Sequence, residues 1–239
     1  VNKNNSVFLN KINFAESKNL IKIKNINLNS KKKLKRIDQI DIDLVNNNDQ
    51  ISQLNIKRKK SNYSINSKIF DGTKILDRIL FSKSDGNFFD VFEKLNSKIS
   101  INFNTIYINN EDYLNNFKVD MIVNNNQIKN LVLSSQFSTK EDLKLSIKTN
   151  SNNEKITDLF AGNAKPLVKK YDFIKGFEGG YLKFDSIEKN KVSNSNLKIF
   201  DFKLKEVPAL TKLLTLASLQ GIADLLTGEG IRFNEFEMI

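Results

Sequence analysis

The chain has 239 residues, a formal net charge of +11, and no cysteine, histidine or tryptophan. The lack of cysteine excludes disulfides and thiolate chemistry, and the lack of histidine removes the commonest general base and metal ligand. We therefore expect no enzymatic activity. Hydrophobic residues make up 39% of the chain and include 18 phenylalanines, enough for a sizeable core or a long apolar face. No run of about 18 apolar residues occurs, so we expect no membrane-spanning helix within this chain.

The positive charge is densest in two clusters, Lys31–Arg36 and Lys57–Lys60. A basic surface can attract nucleic acid, anionic lipid or lipopolysaccharide. Neither cluster is interleaved with aromatic residues, so a base-stacking surface is not indicated. Lysine, asparagine and isoleucine are over-used together, which favours a compositional origin for the charge. We expect no nucleic-acid partner, with Lys31–Arg36 on an exposed turn or strand edge.

Alternation of apolar and polar residues dominates the chain and predicts β-strands. The runs Ile40–Leu44 and Leu143–Ile147 are clean examples, and asparagine-rich turns separate such runs. Asparagine can replace glycine in these turns because it tolerates left-handed backbone and forms side-chain turns. No linker divides the sequence, so we expect a single β-rich segment over residues 1–239. The chain begins and ends within strand patterns, which indicates a piece of a longer protein.

The alternation changes parity within three predicted strands, after Ile23, after Phe103 and after Ile199. A one-residue slip moves side chains to the other face unless a bulge absorbs it. Because bulges bend strands, repeated slips predict a long, strongly curved antiparallel sheet that forms an open trough. An ordinary sandwich with both faces partly buried is the alternative.

Helical signals are few. Short candidates lie within 72–81, 88–95 and 157–171, and the clearest is Pro208–Leu219. Proline fits the first turn of a helix, and Gly221 provides a stop. The apolar stripe of this helix comprises Leu210, Leu213, Leu214 and Ala217. Such a stripe usually packs into a core; the functional alternative is a lid over an apolar groove.

Catalytic and metal-binding patterns are missing. The carboxylates of Asp41 and Asp43 alternate with apolar residues and therefore face solvent, and the pairs at 111–112 and 141–142 fall in predicted turns. No histidine is present to activate a serine, and no calcium-loop spacing occurs. We expect no catalytic residue, metal site or cofactor.

The last third of the chain carries an ordered set of motifs. A glycine-rich segment, Tyr171–Gly180, is followed by strand patterns, by Val207-Pro208-Ala-Leu, by Ala217-Ser-Leu-Gln-Gly221 and by Gly228-Glu-Gly230-Ile-Arg-Phe233. This order, over about residues 156–239, resembles the C-terminal module of the AsmA-like family of bacterial envelope proteins. The chain departs from that family in lacking a membrane helix and in its heavy lysine and asparagine content.

The resemblance implies a curved β-trough with an apolar inside, in a protein anchored to the inner membrane that projects into the periplasm. It implies the binding of phospholipid acyl chains and a role in phospholipid transport to the outer membrane or in the integrity of that membrane. Other envelope proteins are possible partners, and membrane contact would come from parts of the protein outside this chain. The alternative is a structural or adaptor domain of the envelope with a closed core.

The expected groove is an apolar strip made of alternate residues on one face of the sheet. Its candidate residues are Ile40, Ile42, Leu44, Leu143, Leu145 and Ile147. A sheet that is apolar on one face must be covered by something, and the chain predicts too few helices to cover it. We expect the Pro208–Leu219 helix to pack against one end of the strip.

Overall fold

The structure is a computed structural model that describes residues 6–45, 51–73, 88–109, 111–171, 176–190, 192–205 and 230–239. The expectation of a mostly β fold is confirmed, because strands make up most of these residues. The chain divides into two compact units, residues 1–138 and 139–239. The predicted Pro208–Leu219 helix, with Leu210, Leu213, Leu214 and Ala217, lies outside the described residues.

In the first unit, eight strands follow one another in the described sequence. They are β1 (Val7–Glu16), β2 (Asn19–Leu28), β3 (Leu34–Val45), β4 (Ile51–Lys59), β5 (Asn62–Asp71), β6 (Ser97–Tyr107), β7 (Tyr113–Asn124) and β8 (Gln127–Phe137). Each strand pairs with the next one along the chain.

One of these pairs departs from the expected antiparallel sheet. The strands β5 and β6 pair in parallel, with Tyr63 opposite Ile99 and Phe70 opposite Ile106. A parallel pair requires a long crossover instead of a tight turn, and residues 72–96 provide it. Where we expected a helix over 88–95, the structure has a 3₁₀ turn, Phe88–Val91. Most of the helix candidate over 72–81 lies outside the described residues.

Asparagine side chains form several of the turns. The Asn29 carboxamide oxygen accepts a hydrogen bond from the Lys33 backbone amide at 2.9 Å, and the Asn150 oxygen accepts one from the Asn152 amide at 2.9 Å. The Asn29–Lys33 turn places Lys31, Lys32 and Lys33 in solvent between β2 and β3, where the basic cluster is expected. The rest of the cluster departs from that expectation, because Lys35 and Arg36 lie in β3, which pairs on both sides, and Arg36 is half-buried.

The three parity slips have a common structural cause. The slips in β2 and in β12 occur at Asn25 and Asp201, both with φ of 53°, and the slip in β6 lies opposite Asn116 of β7, with φ of 52°. A single left-handed residue rotates the following side chains, while the pairing register with the neighbouring strand continues unchanged. On its other side Asn116 coincides with a one-residue register shift between β7 and β8, from Asn115 opposite Gln136 to Lys118 opposite Ser134. Further shifts occur at Ile122/Val123 and at Asn27/Leu28.

The second unit contains five strands and one short helix in the described residues. The elements are β9 (Asp142–Thr149), β10 (Lys155–Ala161), α1 (Lys165–Tyr171), β11 (Phe177–Lys189), β12 (Val192–Leu204) and β13 (Ile231–Met238). All four strand pairs are antiparallel. The helix candidate over 157–171 is a strand followed by α1, with Pro166 in its first turn, where the missing amide is tolerated.

Replacement of Asn116 tests whether left-handed backbone at a slip is a constraint on sequence. We expect Asn116→Val to lower the free energy of unfolding by about 1–2 kcal/mol, because a β-branched residue is disfavoured at positive φ. Asn116→Gly should retain wild-type stability. The control Lys118→Val is on the same strand and is also exposed; it should change stability by less than about 0.5 kcal/mol. Equal urea-unfolding curves for the two valine variants would contradict this prediction.

Candidate functional site

The apolar side chains of the first unit line up across its strands. Residues directly opposite each other on paired strands point to the same face of a sheet. One row, here called the long row, takes one aliphatic residue from each of the eight strands: Ile12, Ile23, Ile40, Ile56, Ile65, Ile101, Val119 and Leu133. No polar residue interrupts it.

The long row is extended and incompletely covered. Eight strands at about 4.8 Å spacing give it a length of roughly 34 Å, close to the thickness of the hydrocarbon core of a bilayer. Val119 is buried, whereas the other seven side chains are half-buried. The row therefore offers a continuous apolar surface that retains access to solvent along most of its length.

A second row lies beside the first at the β1 end of the unit. It runs through Phe14, Ile21, Ile42 and Leu54. Phe14 is 59% exposed and Leu44, further along β3, is 42% exposed. Both line a cavity of about 470 Å³ together with Ile21 and the polar residues Glu16 and Asn19. The apolar face thus ends in an open cavity with a polar rim.

The same face is closed over β6, β7 and β8. Phe103, Ile106, Leu114 and Phe137 all have less than a tenth of their surface exposed, and the rings of Phe103 and Phe117 stack with centroids 5.8 Å apart. From the crossover, Phe89 and Leu95 pack against Ile99 and Val123. On β6 to β8 the buried residues therefore lie on both sides of the long row, while its own members Ile101 and Leu133 stay half-buried.

Tyr63 lies at the edge of this closed cluster. Its ring packs edge-on against Phe92, with centroids 6.5 Å apart. Burial raises the pKa of the Tyr63 phenol above its usual value, because the anion would lose hydration. The phenol therefore stays neutral at physiological pH.

The second unit has apolar rows of its own. One contains Leu145, Leu159, Phe184, Leu197 and Met238, and the next contains Leu143, Ala161, Leu182, Ile199 and Phe236. Ala161 and Ile199 are fully buried, whereas Leu145 and Leu159 are half-buried. Phe202 stacks between Phe177 and Phe233, with centroids 5.1 and 5.3 Å apart. Each unit thus presents an apolar face with a closed part and an open part.

The opposite face of the first unit is polar, whereas that of the second unit combines ion pairs with an aromatic cluster in which Tyr181 stacks on Phe200 at 4.9 Å. In the first unit, one row of opposite residues runs through Lys22, Asp41, Asn55, Asn66 and Asn102. All of these except Lys22 line a shallow cavity of about 570 Å³. In the second unit, Lys198 contacts Glu235 and Glu237, each at 3.1 Å. Hydrogen bonding to Lys198 lowers the pKa of Glu237. These faces have the charge pairing of a solvated surface.

The predicted groove residues fall on the apolar faces of both units. Ile40, Ile42 and Leu44 share one face of β3, where the first two are half-buried and Leu44 is exposed. Leu143, Leu145 and Ile147 share one face of β9 in the second unit, where Leu143 is buried. The sequence analysis did not identify the other members of the long row, which include Ile12, Ile56, Ile65, Val119 and Leu133. Their alternation was visible, but the pairing register that aligns them was not.

The described residues contain no cluster of three or more acidic side chains that could hold a metal ion. Asp41, a candidate carboxylate, accepts hydrogen bonds from Gln39 at 2.6 Å and from Asn55. It therefore serves as an acceptor in the polar row. None of the helices in the described ranges is long and apolar enough to cross a bilayer.

Comparison of the chain with family models, with curated proteins and with solved structures gave no match.

Two phenylalanines on the apolar face of the first unit distinguish its open and closed ends. We expect Phe137→Ala, at a side chain only 2% exposed, to reduce the free energy of unfolding by about 3–5 kcal/mol. Phe14→Ala, at the open end, should change it by less than about 0.5 kcal/mol because little apolar surface is buried there. Urea unfolding of both variants measures the difference. A comparable loss from Phe14→Ala would mean that the β1 end is covered as well.

Proposed function

We propose that this chain binds lipid acyl chains on its apolar faces, as a segment of an AsmA-like protein. In this proposal the full-length protein is anchored to the inner membrane, lies in the periplasm, and supports phospholipid transport to the outer membrane or the integrity of that membrane. The observation that carries the proposal is the long row, because it is a half-buried apolar surface about as long as a bilayer core is thick.

The physical basis is burial of hydrocarbon. Each methylene removed from water contributes roughly 0.8 kcal/mol, so an acyl chain can be held without any specific polar contact. Ile23, Ile40 and Ile56 lie opposite one another on adjacent strands of the row. A methylene chain that lies across the strands would contact each of them in turn. Similar contacts at each step would also let the chain slide, which suits transport better than storage.

The polar face of the first unit supports the placement of the acyl chain on the apolar face. In the first unit the face opposite the long row carries Lys22, Asp41 and Asn66, which remain hydrated. A sheet with one hydrated face and one open apolar face separates a lipid tail from water on one side only. Headgroups would stay at the rim, where Glu16 and Asn19 border the cavity at the β1 end.

A second candidate function has its own support. The closed packing of Phe103, Ile106, Leu114 and Phe137 is typical of a filled structural core. A non-enzymatic structural or adaptor domain of the envelope would need only this core. The two candidates differ in whether the half-buried part of the long row is occupied by lipid.

A charge in the long row tests for lipid. We expect Ile40→Asp to reduce co-purifying lipid at least about tenfold, since a carboxylate on the apolar face is costly to desolvate. In the second unit, Leu145→Asp should act in the same way. The measurement is mass spectrometry of lipids extracted from purified protein, with circular dichroism to verify folding.

The matched control is Asn102→Asp, which adds the same charge at an exposed residue of the polar face. It should retain wild-type lipid. If wild-type protein carries no lipid, or if folded Ile40→Asp keeps all of it, the lipid proposal is wrong and the structural-domain candidate stands.

The proposal also excludes nucleic acid as a partner. Lys31, Lys32 and Lys33 lie together in one exposed turn, and residues 29–36 include no aromatic side chain for base stacking. We expect weak, sequence-independent binding to DNA or RNA that disappears between about 50 and 200 mM salt. Filter binding measures this. Tight binding at physiological salt that is lost when the three lysines are changed to glutamine would contradict the prediction.

A further inference from the structure

The two basic clusters of the sequence, Lys31–Arg36 and Lys57–Lys60, meet at the same end of the β3–β4 pair. The first cluster spans the turn before β3 and the start of that strand, and the second covers the end of β4. The two strands are antiparallel, with Gln39 opposite Lys57, so the residues before Gln39 run beside those after Lys57. The fold therefore gathers basic residues from two separate parts of the sequence, and the proposed acyl-chain binding uses none of them.

A compact group of polar side chains lies at this end. The Asp38 Oδ1 atom is 3.2 Å from Arg36 Nε and 3.4 Å from Arg58 Nη1. Arg58 is opposite Tyr63 on β5, and the charges of Arg58, Asp38 and Arg36 all act on the Tyr63 phenol. These four residues, Arg36, Asp38, Arg58 and Tyr63, are here called the arginine cluster.

A single carboxylate leaves most of the guanidinium donors of the arginine cluster unused. Within the described residues, Asp38 is the only carboxylate that forms an ion pair with Arg36 or Arg58. The Arg36 Nε atom is buried and makes no hydrogen bond, in spite of its ion pair with Asp38. The hydrogen bond that Arg58 donates to Asp38 is long, at 3.4 Å. Two positive charges thus share one loosely held negative charge.

The surrounding charges do not neutralise the arginine cluster. Lys57 and Lys59 flank Arg58 along β4, and in the part of the chain that the structure describes neither lysine forms an ion pair. From the crossover, Glu93 reaches the start of β3, because its backbone amide donates to the Leu34 carbonyl at 2.8 Å. Its exposed carboxylate pairs with neither arginine. The cluster therefore keeps a positive potential that favours an anion.

The arginine cluster borders the long row. Arg58 is two residues from Ile56 on β4, and Tyr63 is two residues from Ile65 on β5, so each shares the face of its neighbour. The Arg58 side chain is only 25% exposed. Charge-assisted hydrogen bonds are stronger where water is partly excluded. An anion bound here would therefore lie beside the apolar surface.

We propose that the arginine cluster binds a phosphate group, carried by the headgroup of an anionic lipid or present as the free ion. A guanidinium binds phosphate oxygens in pairs, so Arg36 and Arg58 together can contact several oxygens of one phosphate. The neutral Tyr63 phenol can donate its proton in a hydrogen bond to a further oxygen. The phosphate would compete with Asp38 for both arginines. Because it is recognised by its phosphate and not by an acyl chain, this site stands even if the long row carries no lipid.

Two probes distinguish the sources of phosphate. Isothermal titration of the purified 239-residue protein with inorganic phosphate measures binding of the free ion. Flotation with phosphatidylcholine vesicles, with and without phosphatidylglycerol, measures binding of an anionic headgroup. We expect Arg58→Gln to weaken binding at least about tenfold in each assay in which the wild-type protein binds. The matched control Lys59→Gln removes the same charge from the opposite face of β4 and should change the affinity less than about twofold.

Replacement of Asp38 gives a readout that a purely structural ion pair would not produce. We expect Asp38→Asn to bind phosphate at least about threefold more tightly, because the competing carboxylate is removed. Circular dichroism verifies that each variant is folded.

Binding of inorganic phosphate alone would support the proposal with the free ion as ligand, and binding of phosphatidylglycerol vesicles would support it with a headgroup as ligand. Three results would overturn it: no binding of either probe, equal losses in Arg58→Gln and Lys59→Gln, or no gain in folded Asp38→Asn. Failure of the proposed function has a different signature, since it is read from the lipid that co-purifies with Ile40→Asp.

Discussion

The pairing register of the strands is the constraint on which the rest of the structure depends. An aliphatic side chain contributes to a surface only if its counterpart on the next strand points to the same face. In the first unit this condition holds across seven successive pairs, from Ile12 on β1 to Leu133 on β8. A shift of one residue in any pair would move the apolar residues of that strand into the polar row. Register, more than composition, therefore creates the apolar face.

Local backbone geometry keeps neighbouring strands in step when their parity changes. The left-handed Asn25 of β2 lies opposite Asn10 of β1, and Asp201 of β12 lies opposite Gly180 of β11, itself at φ of 74°. Small polar residues and glycine adopt this conformation most easily. Because paired strands slip at the same level, the apolar residues beyond the slip still meet. Each slip is thus a property of several strands together.

The sequence predicted the type of structure better than its pairing. Alternation identified strands at Ile40–Leu44 and Leu143–Ile147, and the slips after Ile23 and Ile199 correspond to left-handed residues. The parallel β5–β6 pair was not predicted, because alternating patterns do not encode strand direction. Apart from Ile40, the members of the long row were likewise not predicted, since pairing between Ile65 and Ile101 depends on a crossover and not on a local turn. The helix expected within 88–95 is replaced by Phe89 and Leu95 packing individually on the sheet.

The parallel pair also has a consequence for how the first unit assembles. Strands joined by short turns can add to a sheet one hairpin at a time, with little loss of chain entropy at each step. At β5 this sequence of additions is interrupted, because residues 72–96 separate β5 along the chain from its next partner in the sheet, β6. Non-local closure of this kind slows folding. We therefore expect strands β1 to β5 and β6 to β8 to form as separate kinetic blocks, with docking of β6 alongside β5 as the slow step that makes the apolar face continuous.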